Sequence, residues 1–278
     1  MSTGHAICGL DHTIIAVDDL GAGEAMLTSL GFAVTPRGIH SAHKGTANAT
    51  SVFSNGTYLE LLGVTAPTEF NAAMREALAA RRNLFGIAMK TEDAAAAYEA
   101  FAAEGIGAET MNAFSRPVEL PGGTREASFR TTNIAHRTTP GAHVFVCEHL
   151  TPDVVWRPDF LDQPNAVAGI KRIIGVADDL DTIAAKWGKI APGGAKASPS
   201  RVDLDFDNAT VTFMTPQAFA TEFGTPTAAP PALAAIEFVS HDLTATRAVL
   251  EKAGVPHPAS LVVPPECAAG VTMRFVAA

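Results

Sequence analysis

The sequence predicts an α+β protein made of four related units, each with a strand, a helix and two or three further strands. The first observation is a pattern that occurs four times: a short apolar or β-branched run, an acidic turn, and an Ala/Leu-rich stretch with helical spacing. The second is a set of turn signals that separate alternating segments after each stretch. One unit cannot cover its own sheet, so we expect neighbouring units to pair. The four segments are residues 12–20, 86–94, 172–180 and 235–243.

Each predicted helix has well-defined ends. Acidic side chains precede every Ala/Leu-rich stretch, where a carboxylate can accept hydrogen bonds from the free amides of the first turn. A glycine follows each stretch and suits a left-handed helix end. The acidic residues are Asp18 and Asp19, Glu92 and Asp93, Asp178 and Asp179, and Asp242. The helices should end at Gly31, at Gly105, near Gly188 and at Gly254.

The strands after each helix are bounded by turn residues. Asn55-Gly56 is a strong hairpin signal, and Asp207-Asn208 separates two alternating segments in the third unit. We therefore predict strands in every unit after its helix. They cover residues 49–53 and 57–62, 142–148, 201–206 and 209–214, and 271–276.

Two proline-rich stretches mark boundaries. Residues 151–165 contain three prolines, and so do residues 224–231. We predict a first domain over residues 1–150, a linker over 151–165 and a second domain over 166–278. The units then cover residues 9–64 and 82–150 in the first domain, and 166–217 and 231–278 in the second.

Composition excludes several classes of protein. The chain has 278 residues, of which 47% are hydrophobic and 18% charged, so it can fill a core and is not intrinsically disordered. No apolar run reaches the ~18 residues of a membrane helix, and residues 1–5 do not resemble a signal peptide. The formal net charge of −9 disfavours a nucleic-acid partner. We expect a cytoplasmic protein without membrane or nucleic-acid partners.

The three cysteines are far apart in the sequence. Cys8, Cys147 and Cys267 lack the paired spacing of a zinc site or a disulfide framework. We interpret them as buried apolar thiols. The sequence also lacks a complete nucleophile elbow, dinucleotide-binding turn or phosphate-binding loop.

Ionisable residues inside apolar strands are the strongest candidates for chemistry. His12 opens the first strand, Glu60 lies between leucines, and Glu148 follows a run of apolar residues. Burial of an unpaired carboxylate costs several kcal/mol, so each glutamate needs a metal, a cationic partner or a raised pKa. A strand-end position in water is the alternative for each residue alone.

These residues lie in motifs that resemble a known superfamily. A histidine in the first strand, a helix, and a glutamate in the last strand of the unit, followed by Glu148, resemble the vicinal oxygen chelate superfamily and its glyoxalase-like domain proteins. The resemblance is more specific over residues 9–150 than over the second half. It implies paired βαβββ units in two curved mixed sheets with helices outside. The motifs are Leu10-Asp11-His12-Thr13, His43-x-Gly45-Thr46-x-Asn48 and Tyr58-Leu59-Glu60-Leu61-Leu62-Gly63.

The resemblance implies a divalent metal ion held by His12, Glu60 and Glu148. The superfamily's fourth ligand position falls on Gly86. A site of one histidine and two carboxylates is rich in oxygen, and we expect Mn, Fe, Mg, Ni or Zn. The metal would act as a Lewis acid on two adjacent substrate oxygens. Glu148 or Glu60 would then be the catalytic group that moves a proton.

Other residues near these motifs are candidates for substrate binding. His43 and Asn48 belong to a glycine-containing loop, and the alternative for them is an ordinary hairpin connection. Tyr58 shares a strand face with Glu60. Arg130 could bind an anionic substrate, and the alternative is a surface position. His149 should point away from the face of Glu148, so we do not predict it to be a ligand.

Two functions remain open. The first is a metal-dependent lyase, isomerase or dioxygenase that acts on a small substrate with vicinal oxygens. The alternative is a metal-free protein of the same fold that binds a small molecule and uses the glutamates as hydrogen-bond acceptors. The second half lacks the site residues, so we interpret it as a degenerate copy that covers the first domain or forms a homodimer.

Overall fold

The computed structural model describes residues 6–106, 108–120, 123–257 and 259–278. Residues 1–5, which the prediction about a signal peptide concerns, lie outside the described ranges. The described residues form two mixed β-sheets with helices outside, which confirms the predicted fold class. None of the helices in these ranges is long and apolar enough to cross a membrane.

The first sheet has eight strands, all from the first half of the chain. Three helices belong to the same half: α1 (Leu20–Ser29), α2 (Ala72–Ala79) and α3 (Ala94–Ala103). The strands are β1 (Gly9–Val17), β2 (Gly38–Ile39), β3 (Thr46–Val52), β4 (Tyr58–Val64), β5 (Leu84–Lys90), β6 (Ala108–Leu120), β7 (Gly123–Ile134) and β8 (His143–His149). Their order across the sheet is β2-β3-β4-β1-β5-β8-β7-β6.

Two short helices, α4 (Pro152–Val155) and α5 (Pro158–Leu161), occupy the proline-rich stretch, and the second sheet follows it. The three later helices are α6 (Leu180–Trp187), α7 (Pro216–Phe223) and α8 (Leu243–Lys252). The seven strands are β9 (Val167–Val176), β10 (Lys196–Ser198), β11 (Arg201–Phe206), β12 (Ala209–Met214), β13 (Ala232–Ser240), β14 (Val262–Val263) and β15 (Thr272–Ala277). Their order is β10-β11-β12-β9-β13-β15-β14.

The predicted helix starts are confirmed. An aspartate side chain accepts amide hydrogen bonds at the start of α1, α3, α6 and α8, and these aspartates are Asp19, Asp93, Asp179 and Asp242. Left-handed glycines follow α1, α3 and α8. Helix α6 also ends near Gly188 as predicted, but this glycine is not left-handed, since its φ is −57°. The chain continues there in a further turn, in which the Ile190 amide donates to the Trp187 carbonyl at 3.0 Å.

The predicted hairpins are also confirmed. Val52 pairs with Tyr58 across the Asn55-Gly56 turn, and Phe206 pairs with Ala209 across the second turn. The long hairpin of β6 and β7 was not predicted, because its strands lack a clear apolar alternation.

The described residues divide into two compact units that each combine segments from both halves of the chain. Among the described residues, the first compact unit contains those within 6–12, 86–152 and 172–233, and the second compact unit contains those within 13–85, 153–171 and 234–278. Sheet membership changes between β8 and β9, near the predicted linker. The domain boundary itself stays a prediction.

An aromatic cluster forms the centre of the second unit. Phe32 lies 5.1 Å from Phe238 between ring centroids, and Phe53 lies 5.8 Å from Phe238. Phe275 stacks on Phe238 at 5.7 Å. All four rings are buried, and full burial of such a side chain stabilises a fold by roughly 1.5–3 kcal/mol.

In the first unit, an asparagine side chain binds the backbone at the start of β1. Asn208 accepts a hydrogen bond from the Leu10 amide at 2.8 Å and donates one to the Leu10 carbonyl at 2.9 Å. A Cβ at Gly9 would lie 2.8 Å from the Asn208 side chain, so only glycine leaves room for it. The Asn208 side chain therefore makes the two backbone hydrogen bonds of Leu10 that a neighbouring strand could make.

The second unit has the corresponding contact at the start of β9. The Asn55 amide donates to the Ala168 carbonyl at 3.0 Å, and its side chain donates to the Ile170 carbonyl at 3.3 Å. A Cβ at Gly169 would collide with the Asn55 side chain. The turn between β11 and β12 thus binds β1 in the first half of the chain, and the turn between β3 and β4 binds β9 in the second half.

Candidate metal site

Asp11 lies at the centre of a buried polar cluster in β1. Its side chain is fully buried, and its Oδ1 atom lies 2.6 Å from His12 Nδ1 and 3.0 Å from His149 Nε2. Among the described residues, its Oδ2 atom has no hydrogen-bond partner. A buried oxygen without a partner costs free energy, so this atom needs an explanation.

The two histidines change the ionisation of Asp11. Burial alone would raise the pKa of this carboxyl group. The charge of His149 and the hydrogen bonds from both histidines act in the opposite direction and lower the pKa to about 2. Asp11 is therefore an ionised carboxylate at neutral pH in spite of its burial.

Cys147 and His149 lie close to Asp11. The ligand atoms of these three residues all lie within 4.8 Å of one another. Both residues belong to β8, where they are two positions apart and share one face of the strand. A thiol, an imidazole and a carboxylate thus converge at one buried point.

Neighbouring aromatic rings hold the imidazole rings in place. Phe129 packs edge-to-face against His149 at 5.0 Å between centroids, and Phe145 packs against His12 at 5.5 Å. The Asp11 carboxylate binds a ring nitrogen of each histidine. A carboxylate in this position commonly orients a metal-binding histidine through its other nitrogen.

These residues fit a divalent metal ion. Carboxylate oxygen, imidazole nitrogen and thiolate sulfur are the donor types of protein metal sites. The Oδ2 atom of Asp11 also supplies a buried acceptor that no described hydrogen bond uses. Asp11, Cys147 and His149 could therefore hold a metal, and His12 lies beside them.

Glu148 lies on the other face of β8. Its Oε2 atom accepts a hydrogen bond at 3.1 Å from the Ala94 amide, which begins α3. Its Oε1 atom forms an ion pair at 3.5 Å with Arg130 Nη1, which lies directly opposite on β7. Glu148 is thus on the face that packs against α3, and Cys147 and His149 point to the opposite face.

Gly86, the predicted fourth ligand position, has a packing role. It lies on β5 opposite His143 of β8. A Cβ at Gly86 would lie 2.6 Å from the His143 carbonyl oxygen, which is closer than van der Waals contact permits. A side chain does not fit here, so the strand pairing itself accounts for the glycine.

Glu60 and Asn48 are hydrogen-bonded to each other in the second compact unit. Asn48 Nδ2 donates to Glu60 Oε1 at 2.5 Å, and both side chains are buried. Burial lowers the pKa of the nearby Lys44, and the charge of Glu60 opposes this change. The unit thus contains a buried carboxylate with an amide donor and an ammonium group nearby.

The two remaining predicted substrate contacts differ in exposure. His43 is exposed and packs edge-to-face on Phe70 at 5.6 Å between centroids. Tyr58 is buried and packs edge-to-face on Trp156 at 5.7 Å. Gly45 has a φ of 59°, and a Cβ there would lie 2.4 Å from the Ala66 carbonyl, so its close approach is to the chain itself.

The structure brings together part of the predicted site. In the first compact unit Arg130 contacts Glu148, and in the second compact unit Asn48 contacts Glu60. The ligand set of His12, Glu60 and Glu148 stays a prediction. Sequence reasoning missed Asp11, Cys147 and His149 as a group, although Asp11 stands directly before His12 and His149 alternates with Glu148.

The fold and this cluster define a member of the vicinal oxygen chelate superfamily that carries a candidate metal site. The sequence family described as "Glyoxalase-like domain" matches residues 10–191. The chain therefore belongs to the glyoxalase-like domain family. A search of curated proteins finds no significant match.

Solved structures share the fold at low sequence identity. A hypothetical protein from Staphylococcus aureus matches with a TM-score of 0.69 and 13% identity, over 97% of this chain and 99% of that one. The Mn(II)-bound glyoxalase from Novosphingobium aromaticivorans matches with a TM-score of 0.57 and 11% identity, over 98% and 82%. A mutant 4-hydroxymandelate synthase from Streptomyces coelicolor gives 0.54 and 14%, over 90% and 76%. These identities support the shared fold alone.

Proposed function

We propose that this protein is a metal-dependent enzyme of the glyoxalase or dioxygenase type, acting on a small compound with two adjacent oxygens. The observation that carries the proposal is the buried Asp11 carboxylate, which has one oxygen between two histidines and the other without a hydrogen-bond partner in the described residues. Family membership supports the same class of chemistry.

Asp11, Cys147 and His149 would hold the metal ion. A divalent ion bound there supplies Lewis acidity toward two adjacent substrate oxygens. Asp11 fixes the orientation of both histidine rings, and Phe129 and Phe145 pack edge-to-face against those rings. Our proposal gives Glu148 a different role, which is to bind the first turn of α3.

Glu60 remains our candidate for the group that moves a proton. Asn48 holds Oε1 of this buried carboxylate, so one oxygen is fixed and its orientation is defined. His43, Asn48, Tyr58 and Arg130 remain proposed substrate contacts, and homodimerisation of the chain remains a proposal too.

A metal-free binding protein is the second candidate. Both predicted glutamate ligands have hydrogen-bond partners within the protein: Asn48 for Glu60, and the Ala94 amide for Glu148. That arrangement favours glutamates that act as hydrogen-bond acceptors. In this alternative the small molecule binds equally well after the metal has been removed.

A pair of isomeric probes separates the two functions. Catechol has adjacent hydroxyl groups, whereas resorcinol has the same groups in non-adjacent positions. Calorimetric titration of metal-loaded and chelator-treated protein with each compound measures whether binding needs both the metal and adjacent oxygens. We expect catechol to bind the metal-loaded protein at least tenfold more tightly than resorcinol, and to lose this preference after chelation.

Equal binding of both compounds before and after chelation would support the metal-free binding protein. Metal analysis of the purified chain accompanies the titration. A chain that neither contains nor takes up a divalent ion is not the enzyme we propose.

A further inference from the structure

Cys147 is the unexpected member of the cluster around Asp11. Its side chain is 2% exposed, and its sulfur lies within 4.8 Å of the ligand atoms of Asp11 and His149. Its backbone lies in the middle of the sheet, opposite Lys90 on β5 and Thr131 on β7. Strand β8 is thus paired on both sides, and this pairing fixes the Cys147 backbone so that its sulfur lies beside the Asp11 carboxylate.

A sulfur ligand would change which metal such a site prefers. A set of histidine and carboxylates alone is hard and suits Mg or Mn, whereas a thiolate selects softer ions such as Zn. Asp11 offers oxygen, His149 offers nitrogen and Cys147 offers sulfur. This mixture matches the donors of zinc sites that use three protein ligands and leave a fourth position open.

A merely buried apolar thiol does not account for the surroundings. An apolar thiol would be expected among apolar side chains, but here the neighbours are an ionised carboxylate and an imidazole. The Asp11 Oδ2 atom is fully buried and has no hydrogen-bond partner among the described residues. A metal ion between the Cys147 sulfur and Asp11 Oδ2 would give this oxygen a partner.

We propose that Cys147 binds the metal as a thiolate, so that the site takes zinc or a similar ion in preference to magnesium or manganese. This inference rests on the proposed function and names the metal class of that same site. The sulfur–metal bond forms as the thiol loses its proton to solvent, and no electron is transferred. Asp11 and His149 complete the protein ligands.

Cobalt substitution tests the sulfur bond directly. The full chain is treated with a chelator and then titrated with Co²⁺ under anaerobic conditions, while the near-ultraviolet spectrum records sulfur-to-cobalt charge transfer. We expect the band to develop with one equivalent of cobalt. Cys147→Ser should abolish the band and weaken zinc binding at least tenfold relative to magnesium.

The other two cysteines give matched controls. Cys8→Ser and Cys267→Ser remove a thiol outside the cluster, so each variant should keep the band. If Cys147→Ser fails to fold, X-ray absorption of a zinc-loaded Cys8→Ser/Cys267→Ser double variant replaces it. Cys147 is then the single cysteine, and we expect a sulfur shell at about 2.3 Å from zinc.

The outcomes separate this inference from the proposed function. If one equivalent of cobalt binds without a charge-transfer band, or if zinc has no sulfur shell, Cys147 is not a ligand, and the metal-dependent function still stands. If neither cobalt nor zinc binds, both proposals are wrong.

Discussion

The two halves of the chain share an architecture but treat their buried charges differently. His12 and Arg172 occupy equivalent positions, since each lies eight residues before the first residue of the following helix (20−12 and 180−172). By the same count Asp11 corresponds to Lys171. Asp11 is fully buried beside two histidines, whereas Lys171 is exposed.

The second half neutralises its buried charges with its own side chains. Arg172 Nη2 lies 2.5 Å from Glu222 Oε1, and Arg274 Nε lies 2.6 Å from Glu237 Oε2. The first half pairs its buried Asp11 carboxylate with two histidines instead, and no described hydrogen bond uses the Oδ2 atom. Buried strand charges thus have partners in both halves, and Asp11 differs in that its partners are imidazoles.

The largest effect should come from removing Asp11. We expect Asp11→Ala to weaken divalent metal binding by about a hundredfold, because it removes one ligand and the group that orients two histidines. Calorimetric metal titration measures the change. The control is Lys171→Ala at the equivalent position of the second half, which should leave the affinity unchanged, and an equal loss in both variants would contradict the asymmetry.

Asp11 should also make the first half sensitive to acid. Its pKa is about 2 in the folded chain against 3.8 in the reference state. Because the pKa of Asp11 is lower in the folded chain than in the unfolded chain, its ionised form stabilises the fold. This stabilisation is complete at pH values above 3.8 and disappears as the pH falls through about 2. We expect a contribution of about 2 kcal/mol.

Urea unfolding of the metal-free chain between pH 5 and pH 2 measures this contribution. The wild type should lose more stability over this range than Asp11→Asn, whose side chain does not ionise. Parallel curves for the two proteins would show that Asp11 does not supply the acid sensitivity.

The two asparagine contacts allow a matched test of the halves. Asn208→Ala should destabilise the chain by about 2 kcal/mol, because it leaves the Leu10 amide and carbonyl without their partners. It should also weaken metal binding about tenfold, since Leu10 precedes Asp11. Asn55→Ala keeps the backbone hydrogen bond to Ala168 but removes the side-chain bond to Ile170 and two bonds from Thr57. It should destabilise similarly without changing the metal affinity.

Thermal unfolding and metal titration of both variants give the result. If metal affinity falls equally in both, the asparagines act only through stability.

The smallest effect is expected at Glu148. Glu148→Gln keeps an oxygen that can accept from the Ala94 amide and removes the ion pair with Arg130, whose side chain is 45% exposed. Such pairs contribute about 1 kcal/mol or less. We expect a small loss of stability and unchanged metal content, as for the control Arg130→Gln. Loss of the metal would instead support the ligand role predicted from sequence.

The sequence predicts the fold well where local chemistry decides it. Aspartate caps such as Asp19 and Asp242 and the Asn55-Gly56 turn act within a few residues, so their pattern indicates helix starts and hairpins directly. The sequence between β6 and β7 has a turn signal, Pro121-Gly122-Gly123, but the strands themselves lack a clear apolar alternation, and the position of β7 depends on pairing with β8.

The candidate site is harder to predict, because it depends on which face of a strand meets the helices. Alternation places Glu148 and His149 on opposite faces, but it does not say which face packs against α3. The Ala94 amide, 54 residues away in the chain, decides this question by binding Glu148. The role of Asp11 could not be predicted for a similar reason, since its contact with His149 spans 138 residues.

Anomalous diffraction from crystals of the zinc-loaded chain is the sharpest test of the metal site, because it locates the ion among the side chains. We expect one strong anomalous peak at about 2.0–2.3 Å from the ligand atoms of Asp11, Cys147 and His149. A peak at Glu60 or Glu148 instead, or no peak in the first half of the chain, would contradict this expectation.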